Sequence, residues 1–278
     1  MDEQQAREIN RRYRDVFNKY YGAYRKRLGL TYSEPLLCHA NTVRTATSFL
    51  EQSELVSRQE MENRGFDQTP QDSDALDKKL DIYNDIFFDS IDICDWAGFR
   101  NQYGPVLFCF HMDLLNDLSV PIKITKTNPY SSKPEENWNN NTSEEGRYFS
   151  SPKEYDESFN FGSFGSFGCH VTIPNCTSIP LDRLAFILVD APEVLADSNA
   201  DYIKHIRALA KKANKMVAIR NFEDNGLHFG DSKLHRERFE KSYTELDLES
   251  LEKCFCQKDQ TLIERPDGII QFVSREAG

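Results

Sequence analysis

The segment from residue 35 to residue 58 constrains the fold more than any other part of this chain. The apolar residues Pro35–Cys38 predict a short buried strand with His39 at its end, and residues 43–52 predict a helix. The turn after that helix ends at Arg58. A strand fixes a polar side chain at its end, while the start of a helix offers unpaired N–H groups to an anion such as a diphosphate. The segment therefore predicts a ligand site or, alternatively, a hydrogen-bonded core histidine beside a surface arginine.

The composition is that of a globular protein long enough to bury one large core or two small ones. Hydrophobic residues make up 39% and charged residues 28% of the 278 residues. The absence of a long apolar run and of an N-terminal secretion signal predicts a cytoplasmic protein with no membrane partner. The net charge of −11 argues against a broad basic surface that coats nucleic acid, but it leaves room for a site for one or two nucleotides.

The cysteines predict neither a disulfide framework nor a metal site. The chain has 7 of them, an odd number, and several lie within apolar runs, where cysteine acts as a small hydrophobic residue. We therefore interpret them as reduced thiols. Cys254 and Cys256, with His228 and His235 upstream, are residue types that bind zinc, but a Cys-x-Cys pair lacks the wider gap of the usual structural zinc sites.

The remaining periodicity predicts a mixture of helices and strands. A helix at residues 3–27 carries aromatic residues among basic ones, so that it either packs by its rings or touches a polynucleotide; the rings are those of Tyr13, Phe17, Tyr20 and Tyr21. We interpret 62–79 as a loop and 125–160 as a long polar insertion. A second helix is expected at 200–213, strands are expected at 80–89, 103–111, 169–174 and 179–190, and a final apolar run stands at 269–273. This irregular order favours an α+β fold over a doubly wound sheet.

A repeat of phenylalanine beside glycine or serine stands at residues 159–168. Glycine frees the backbone, and exposed aromatic rings stack on a nucleobase or another flat ligand. The candidate substrate-binding residues of this loop are Phe161, Phe164 and Phe167. The alternative is a low-complexity linker whose rings pack onto the domain.

Together these pieces resemble the DarT-type ADP-ribosyltransferases, toxins that transfer ADP-ribose from NAD to nucleic acid, and their CmdT-type relatives, which modify RNA in phage-defence systems. The resemblance covers roughly residues 35–190. Five short motifs carry it: His39 with Asn41 at a strand end, the helix and the Ser53–Glu54–Leu55 turn, the run Asp85–Phe88, the run Gly104–Phe108, and Ile179–Pro180 with the apolar strand after it.

The resemblance implies a single ADP-ribosyltransferase domain over residues 1–278, with a core at about 30–190 and a mixed, partly helical extension at about 191–278. The implied fold is α+β, with a split, strongly bent mixed sheet, flanking helices and NAD bound as a substrate. In this fold His39 and Asn41 lie near the nicotinamide and its ribose, Arg58 lies near the diphosphate, and Tyr103 also contacts NAD. The loop at 159–168 takes the place of the loop that recognises the acceptor.

The chain departs from the family pattern at one position. In the family, a glutamate at the start of the strand after this loop stabilises the oxocarbenium ion and activates the acceptor, whereas this chain has His170 there. A neutral imidazole acts as a general base near neutral pH but supplies no fixed negative charge. His170 is the candidate catalytic residue. The alternatives are that Glu154 or Glu157 moves into the site, or that the chain is weakened or inactive.

The sequence thus predicts an NAD-dependent ADP-ribosyltransferase, a glycosyltransferase toxin of a toxin–antitoxin or phage-defence system. Its acceptor is a base in single-stranded DNA or RNA, and an antitoxin protein is a candidate partner. The alternatives are an inactive relative that binds a nucleotide or a partner, and an ADP-ribosyltransferase that modifies protein.

Overall fold

The computed structural model describes residues 2–28, 35–71, 73–90, 92, 103–117, 119–127, 129, 138, 143–158, 171–192, 200–222, 260–264 and 270–274. The helices are α1 (Glu3–Leu28), α2 (Val43–Gln52), α3 (Arg58–Arg64), α4 (Asp74–Lys79), α5 (Glu144–Arg147), α6 (Pro152–Ser158) and α7 (Ala200–Lys212). The strands are β1 (Leu36–Asn41), β2 (Glu54–Val56), β3 (Ile86–Phe88), β4 (Val106–His111), β5 (Lys123–Ile124), β6 (Val171–Ile173), β7 (Ser178–Pro180), β8 (Leu184–Pro192), β9 (Val217–Phe222), β10 (Gln260–Glu264) and β11 (Ile270–Ser274). This mixture of helices and largely antiparallel sheets fits the predicted α+β class. None of the described helices has both the length and the apolar character needed to span a bilayer.

Most of the predicted elements are present, but the loop predicted at 62–79 is wrong in part. Helix α3 continues to Arg64, and α4 follows within the same stretch. Both helices are short and carry few apolar residues, and of the two only α3 has a side-chain cap and a terminal glycine. Ser57 accepts a hydrogen bond from the N–H of Glu60, and Gly65 ends α3 with φ 67°. The strand predicted at 80–89 is confined to β3.

Within the described ranges, the larger sheet has six strands in the order β1-β4-β8-β9-β10-β11. All neighbours are antiparallel except β8 and β9, which run parallel and are connected through α7. β4 is a central strand, as its apolar run predicts, and it pairs with β1 from Leu36–His111 to Asn41–Val106. Strands β9, β10 and β11 extend this sheet beyond residue 190.

A smaller, antiparallel sheet has the order β3-β6-β5, and it meets the larger one at a single backbone pair. The N–H of Cys38 donates to the carbonyl of Asp89 at 2.7 Å, and the N–H of Asp89 donates back to the carbonyl of Cys38 at 2.9 Å. Among the described residues, no other ladder pair joins β1 to β3. The two sheets are therefore joined at one point next to His39. Strands β2 and β7 form a third, two-stranded antiparallel sheet.

The main core combines the buried side chains of three helices, α1, α2 and α7, with those of both the larger and the smaller sheet. Each helix contributes a buried apolar stripe, and the larger sheet contributes the inward side chains of β4 and β8. Phe49 and Phe108 meet edge-to-face with their ring centroids 5.9 Å apart. The opposite face of the larger sheet carries a smaller buried cluster of Leu36, Cys38, Leu107, Cys109, Leu188 and Ala218. Alternation along β1 thus places His39 on the main-core face and Cys38 on the other.

Helix α1 packs by its aromatic side chains, which is one of the two interpretations of its pattern. Tyr13 and Phe17 are fully buried, and the Tyr13 hydroxyl lies 2.5 Å from that of Ser90. Arg11 and Arg12 on the outer side both bond Glu8, and these bonds lower the pKa of Glu8 to about 2. The positive charge of this part of the helix is therefore balanced within the chain.

Candidate functional site at the junction of the two sheets

His39 lies where the two sheets meet, and a backbone carbonyl fixes its ring. Its Nδ1 is 2.7 Å from the carbonyl oxygen of Phe87 in β3. A carbonyl only accepts, so Nδ1 carries the hydrogen and Nε2 is left with its lone pair. The ring of Phe88 packs edge-on against the imidazole at 5.8 Å between centroids. The histidine side chain thus takes the place of a ladder bond between β1 and β3.

The surroundings keep this imidazole neutral. Burial lowers the pKa of His39; the bond to the Phe87 carbonyl opposes this effect, and the positive charge of Arg58 adds to it. Within the described part of the chain, Nε2 has no hydrogen-bond partner. A neutral imidazole with a bound Nδ1–H and an open Nε2 accepts a hydrogen bond from a ligand hydroxyl, or takes a proton from it.

Asn41 and the start of α2 form the next part of the site. Asn41 is 4% exposed, and its Nδ2 donates to the carbonyl of His39 at 3.0 Å. Thr42 then caps α2, because its side chain accepts from the N–H of Thr45. The structure therefore brings the predicted residues His39 and Asn41 together, and it shows that the Asn41 amide supports the backbone of β1.

Tyr103 is brought to the end of β1 by the glycine that follows it. Gly104 has φ 133°, and a Cβ on it would lie 2.1 Å from the carbonyl oxygen of Asn41. Only a glycine permits this close approach. The half-buried Tyr103 therefore lies beside the strand end that carries His39 and Asn41.

The charge of Arg58 acts on the pKa of His39, but a carboxylate holds the Arg58 guanidinium. Its Nε and Nη2 donate to the two oxygens of Asp74 at 2.7 and 2.8 Å, and Nη2 also donates to the carbonyl of Thr69 at 3.0 Å. The two side chains are 23% and 20% exposed. This is the two-pronged Arg–carboxylate geometry, which fixes position as well as charge. Arg58 is therefore neither a solvated surface residue nor an unpaired cation.

A chain of hydroxyl groups connects Arg58 to the start of α2. Thr69, whose carbonyl accepts from Arg58, has its Oγ1 2.8 Å from Oγ1 of Thr42, and its N–H donates to Oγ1 of Thr45 at 3.2 Å. Thr42, Thr45 and Thr69 are all buried. We call Thr42, Thr45, Arg58, Thr69 and Asp74 the polar frame. It holds α2, the loop before α4 and the start of α3 in one arrangement beside His39.

Asp85, at the start of β3, is a second titratable group with a shifted pKa. It is 9% exposed, and its carboxylate accepts from the N–H of Asn175 at 2.9 Å. Burial raises the pKa of Asp85 to about 6, against the opposing effects of that bond and of the charge of Arg147. Shifted carboxyl groups of this kind are candidates for functional sites. Sequence reasoning used Asp85 only as part of a motif, because its burial depends on the β6–β7 turn.

The other predicted site residues divide into two groups. His170, Phe161, Phe164 and Phe167 lie outside the described residues, as do the cysteines and histidines considered for zinc. Glu154 is described, and it bonds the Lys126 ammonium and accepts from the N–H of Ser150 at 2.7 Å. Glu157 lies on the same helix, α6, and pairs with Lys153 at 3.8 Å. Glu154 is thus already engaged where it stands.

Comparisons with known proteins leave the family open. Neither the models of protein families nor the curated proteins gave a match to this chain. Among the described residues, no three side chains of His, Cys, Asp or Glu come together as a metal centre would need.

Proposed function

We propose that this chain is an NAD-dependent ADP-ribosyltransferase that modifies a base of single-stranded DNA or RNA, as a toxin of a toxin–antitoxin or phage-defence system. One observation carries the proposal. Beside the Cys38–Asp89 backbone pair that joins the two sheets, a neutral His39 is fixed through Nδ1 by Phe87, and its Nε2 is open within the described part of the chain. The resemblance of the sequence motifs to the DarT type gives that histidine a specific ligand, the ribose next to nicotinamide.

In this proposal, His39 orients NAD rather than reacting with it. Its Nε2 accepts a hydrogen bond from a ribose hydroxyl, and the fixed Nδ1–H keeps the ring from turning. The bond between nicotinamide and ribose breaks, nicotinamide leaves, and a ring nitrogen of the acceptor base attacks the exposed carbon. His170 takes the proton from the acceptor as a general base. The polar frame keeps the start of α2 in place beneath the diphosphate.

The test is the transfer of label from NAD to separate pools of single-stranded DNA, RNA and cell protein. We expect transfer to one nucleic acid pool, with at least about a hundredfold loss in His39→Ala, since that variant loses a positioning contact. His39→Asn distinguishes the role of Nδ1 from that of Nε2. Its amide can still donate to the Phe87 carbonyl, but it offers no acceptor at the Nε2 position. It should fold as the parent does and be as inactive as His39→Ala.

The control is His111→Ala, which removes an exposed histidine from the opposite end of the β1–β4 pair. It should retain the parent's activity. Full activity in His39→Asn would contradict the role of Nε2. Transfer to the protein pool alone would instead identify a protein-modifying transferase.

A second candidate function is a nucleotide-binding relative without turnover. Two observations favour it: Asp74 already neutralises Arg58, and His170 stands where the family has a glutamate. A protein of this kind would be stabilised against heat by NAD but would release no nicotinamide. An inactive parent with an active His170→Glu variant would favour this candidate, whereas turnover by the parent would exclude it.

A further inference from the structure

Two free cysteines lie side by side on one face of the larger sheet, in neighbouring strands. Cys38 in β1 and Cys109 in β4 are direct partners in the antiparallel register. The N–H and carbonyl of Cys38 both bond to Asp89, on the side of β1 away from β4. Cys38 and Cys109 are therefore a pair without mutual backbone hydrogen bonds. In such pairs the Cα atoms are about 4.5 Å apart, which lies inside the range of about 4.4 to 6.8 Å found across disulfides.

The environment of the pair disfavours a thiolate. Both side chains lie in the smaller buried cluster, where Cys38 is 2% exposed and Cys109 is 0% exposed. The neighbouring Cys109 thiol, burial, and the carboxylates of Asp92 and Asp89 raise the pKa of Cys38 well above its ordinary value. This buried environment favours the uncharged forms of the pair, which are two thiols or one disulfide. It disfavours a thiolate, and therefore a permanent nucleophile or a thiolate metal ligand.

We propose that Cys38 and Cys109 form a redox modification site, in which a small-molecule disulfide such as oxidised glutathione converts the two thiols into a cross-strand disulfide. One cysteine, as its thiolate in a transiently opened sheet, attacks a glutathione sulfur, and a mixed disulfide forms as the first glutathione leaves. The second cysteine then displaces the other glutathione. The two protein thiols are oxidised, and one glutathione disulfide is reduced to two thiols. This proposal does not rest on the proposed enzymatic function.

Closing this bond would fix the strand that carries His39. Cys38 directly precedes His39 and is also the residue that joins β1 to Asp89. A disulfide would therefore tie β1 to β4 at the point where the two sheets meet. Cys176 offers a natural contrast, because its half-buried thiol donates to the carbonyl of Ser178 at 3.3 Å and no described cysteine lies opposite it in a strand.

The test equilibrates the full chain with glutathione buffers of increasing oxidised fraction, in mild urea so that the sheet opens and recloses. Remaining thiols are then blocked, and the disulfide-linked peptides are identified by mass spectrometry. We expect the Cys38–Cys109 peptide to exceed every other cross-link by at least about tenfold, because the fold holds the two thiols at a high effective concentration. The oxidised chain should melt about 5 °C or more above the reduced one.

Three variants test whether the cross-link is specific to Cys38 and Cys109. Cys38→Ala and Cys109→Ala should each abolish the cross-link and the rise in melting temperature, whereas Cys176→Ala should leave both unchanged. The parent chain alone decides the result if a variant fails to fold. Free thiols at both positions across the whole buffer series would overturn the proposal. It would also be overturned if glutathione adducts accumulated as the end product in place of the Cys38–Cys109 bond, or if either residue cross-linked to a different cysteine.

Discussion

The two edges of β1 are built in different ways. Towards β4, β1 pairs along its whole length, from Leu36–His111 to Asn41–Val106. Towards β3, it has one backbone pair, Cys38–Asp89, and then the side-chain bond from His39 to Phe87. A continuous ladder leaves no group for a ligand, whereas a ladder replaced by an imidazole leaves Nε2 open. The candidate site therefore begins where the backbone pairing of β1 stops.

The two sides also differ in electrostatics. The β4 side is lined by apolar residues such as Phe108 and Phe110, both fully buried. On the β3 side, burial lowers the pKa of His39 and raises the pKa of Asp85 to about 6. Burial that disfavours the charged form of a group costs stability at a pH where the group would otherwise be charged, and such groups are candidates for functional sites. We therefore expect variants on the β4 side to affect mainly folding, and variants on the β3 side to affect mainly pH dependence and ligand binding.

The largest expected effect comes from Gly104→Ala. The new Cβ would lie 2.1 Å from the Asn41 carbonyl oxygen, in a backbone conformation with φ 133° that side chains rarely adopt. We expect the free energy of unfolding to fall by about 4 kcal/mol or more, measured by urea denaturation. Gly22→Ala is the control, since its Cβ meets nothing within 4 Å in α1. It should raise stability by about 0.5 to 1 kcal/mol. Equal effects of the two variants would contradict the close approach at the end of β1.

A smaller effect is expected when the polar frame is broken. Arg58→Met leaves Asp74 without its bidentate cation and removes the bond from Arg58 to the Thr69 carbonyl, so stability should fall by about 3 kcal/mol. A double-mutant cycle with Asp74→Ala measures the coupling directly.

The matched control pair is Lys78 and Glu62, whose side chains are 50% and 48% exposed. Their coupling should be below about 1 kcal/mol. A coupling between Arg58 and Asp74 as small as this control would show that Arg58 is available for a diphosphate.

The pH dependence of stability should distinguish the β3 side of β1 from the β4 side, because Asp85 lies on the β3 side. The pKa of Asp85 in the folded chain is about 6, above its ordinary value of 3.8, so its contribution is most favourable at low pH and is lost as the pH rises through 6. Asp85→Asn keeps an acceptor for the Asn175 N–H but does not ionise. Relative to the parent, it should gain about 2 kcal/mol between pH 4 and pH 8.

The measurement is urea denaturation across this pH range. Asp113→Asn, at an exposed position just after β4, serves as the control. A difference between the parent and Asp85→Asn that stays constant with pH would contradict the burial of an ionisable Asp85.

The sequence predicts those parts of the fold whose signals are local. The apolar run before His39, the helix after it and the buried stripe of α1 are confirmed because period and composition suffice to show them. The prediction fails at α4, a helix of six residues that stands beside the ion pair between Asp74 and Arg58. That partner lies 16 residues away in sequence, and no local pattern points to it.

The sequence suggests which residue types form the candidate site but not how they are arranged. His39 and Asn41 lie together at the end of β1, which Gly104, next to Tyr103, also contacts, whereas Arg58 is bonded to Asp74. What sequence could not show is the pairing of Cys38 with Asp89, which places His39 at the junction, since that contact joins distant segments. The burial of Asp85 depends on Asn175 in the same way.

The most direct measurement is nitrogen-15 NMR of histidine-labelled protein at pH 7, with His39→Asn used to assign the His39 signals. We expect a neutral ring with its hydrogen on Nδ1, and an unprotonated Nε2 whose resonance shifts when NAD is added. A ring with its hydrogen on Nε2, a charged ring, or an Nε2 resonance that NAD leaves unmoved would contradict the central claim that His39 presents an open acceptor to NAD at the junction of the two sheets.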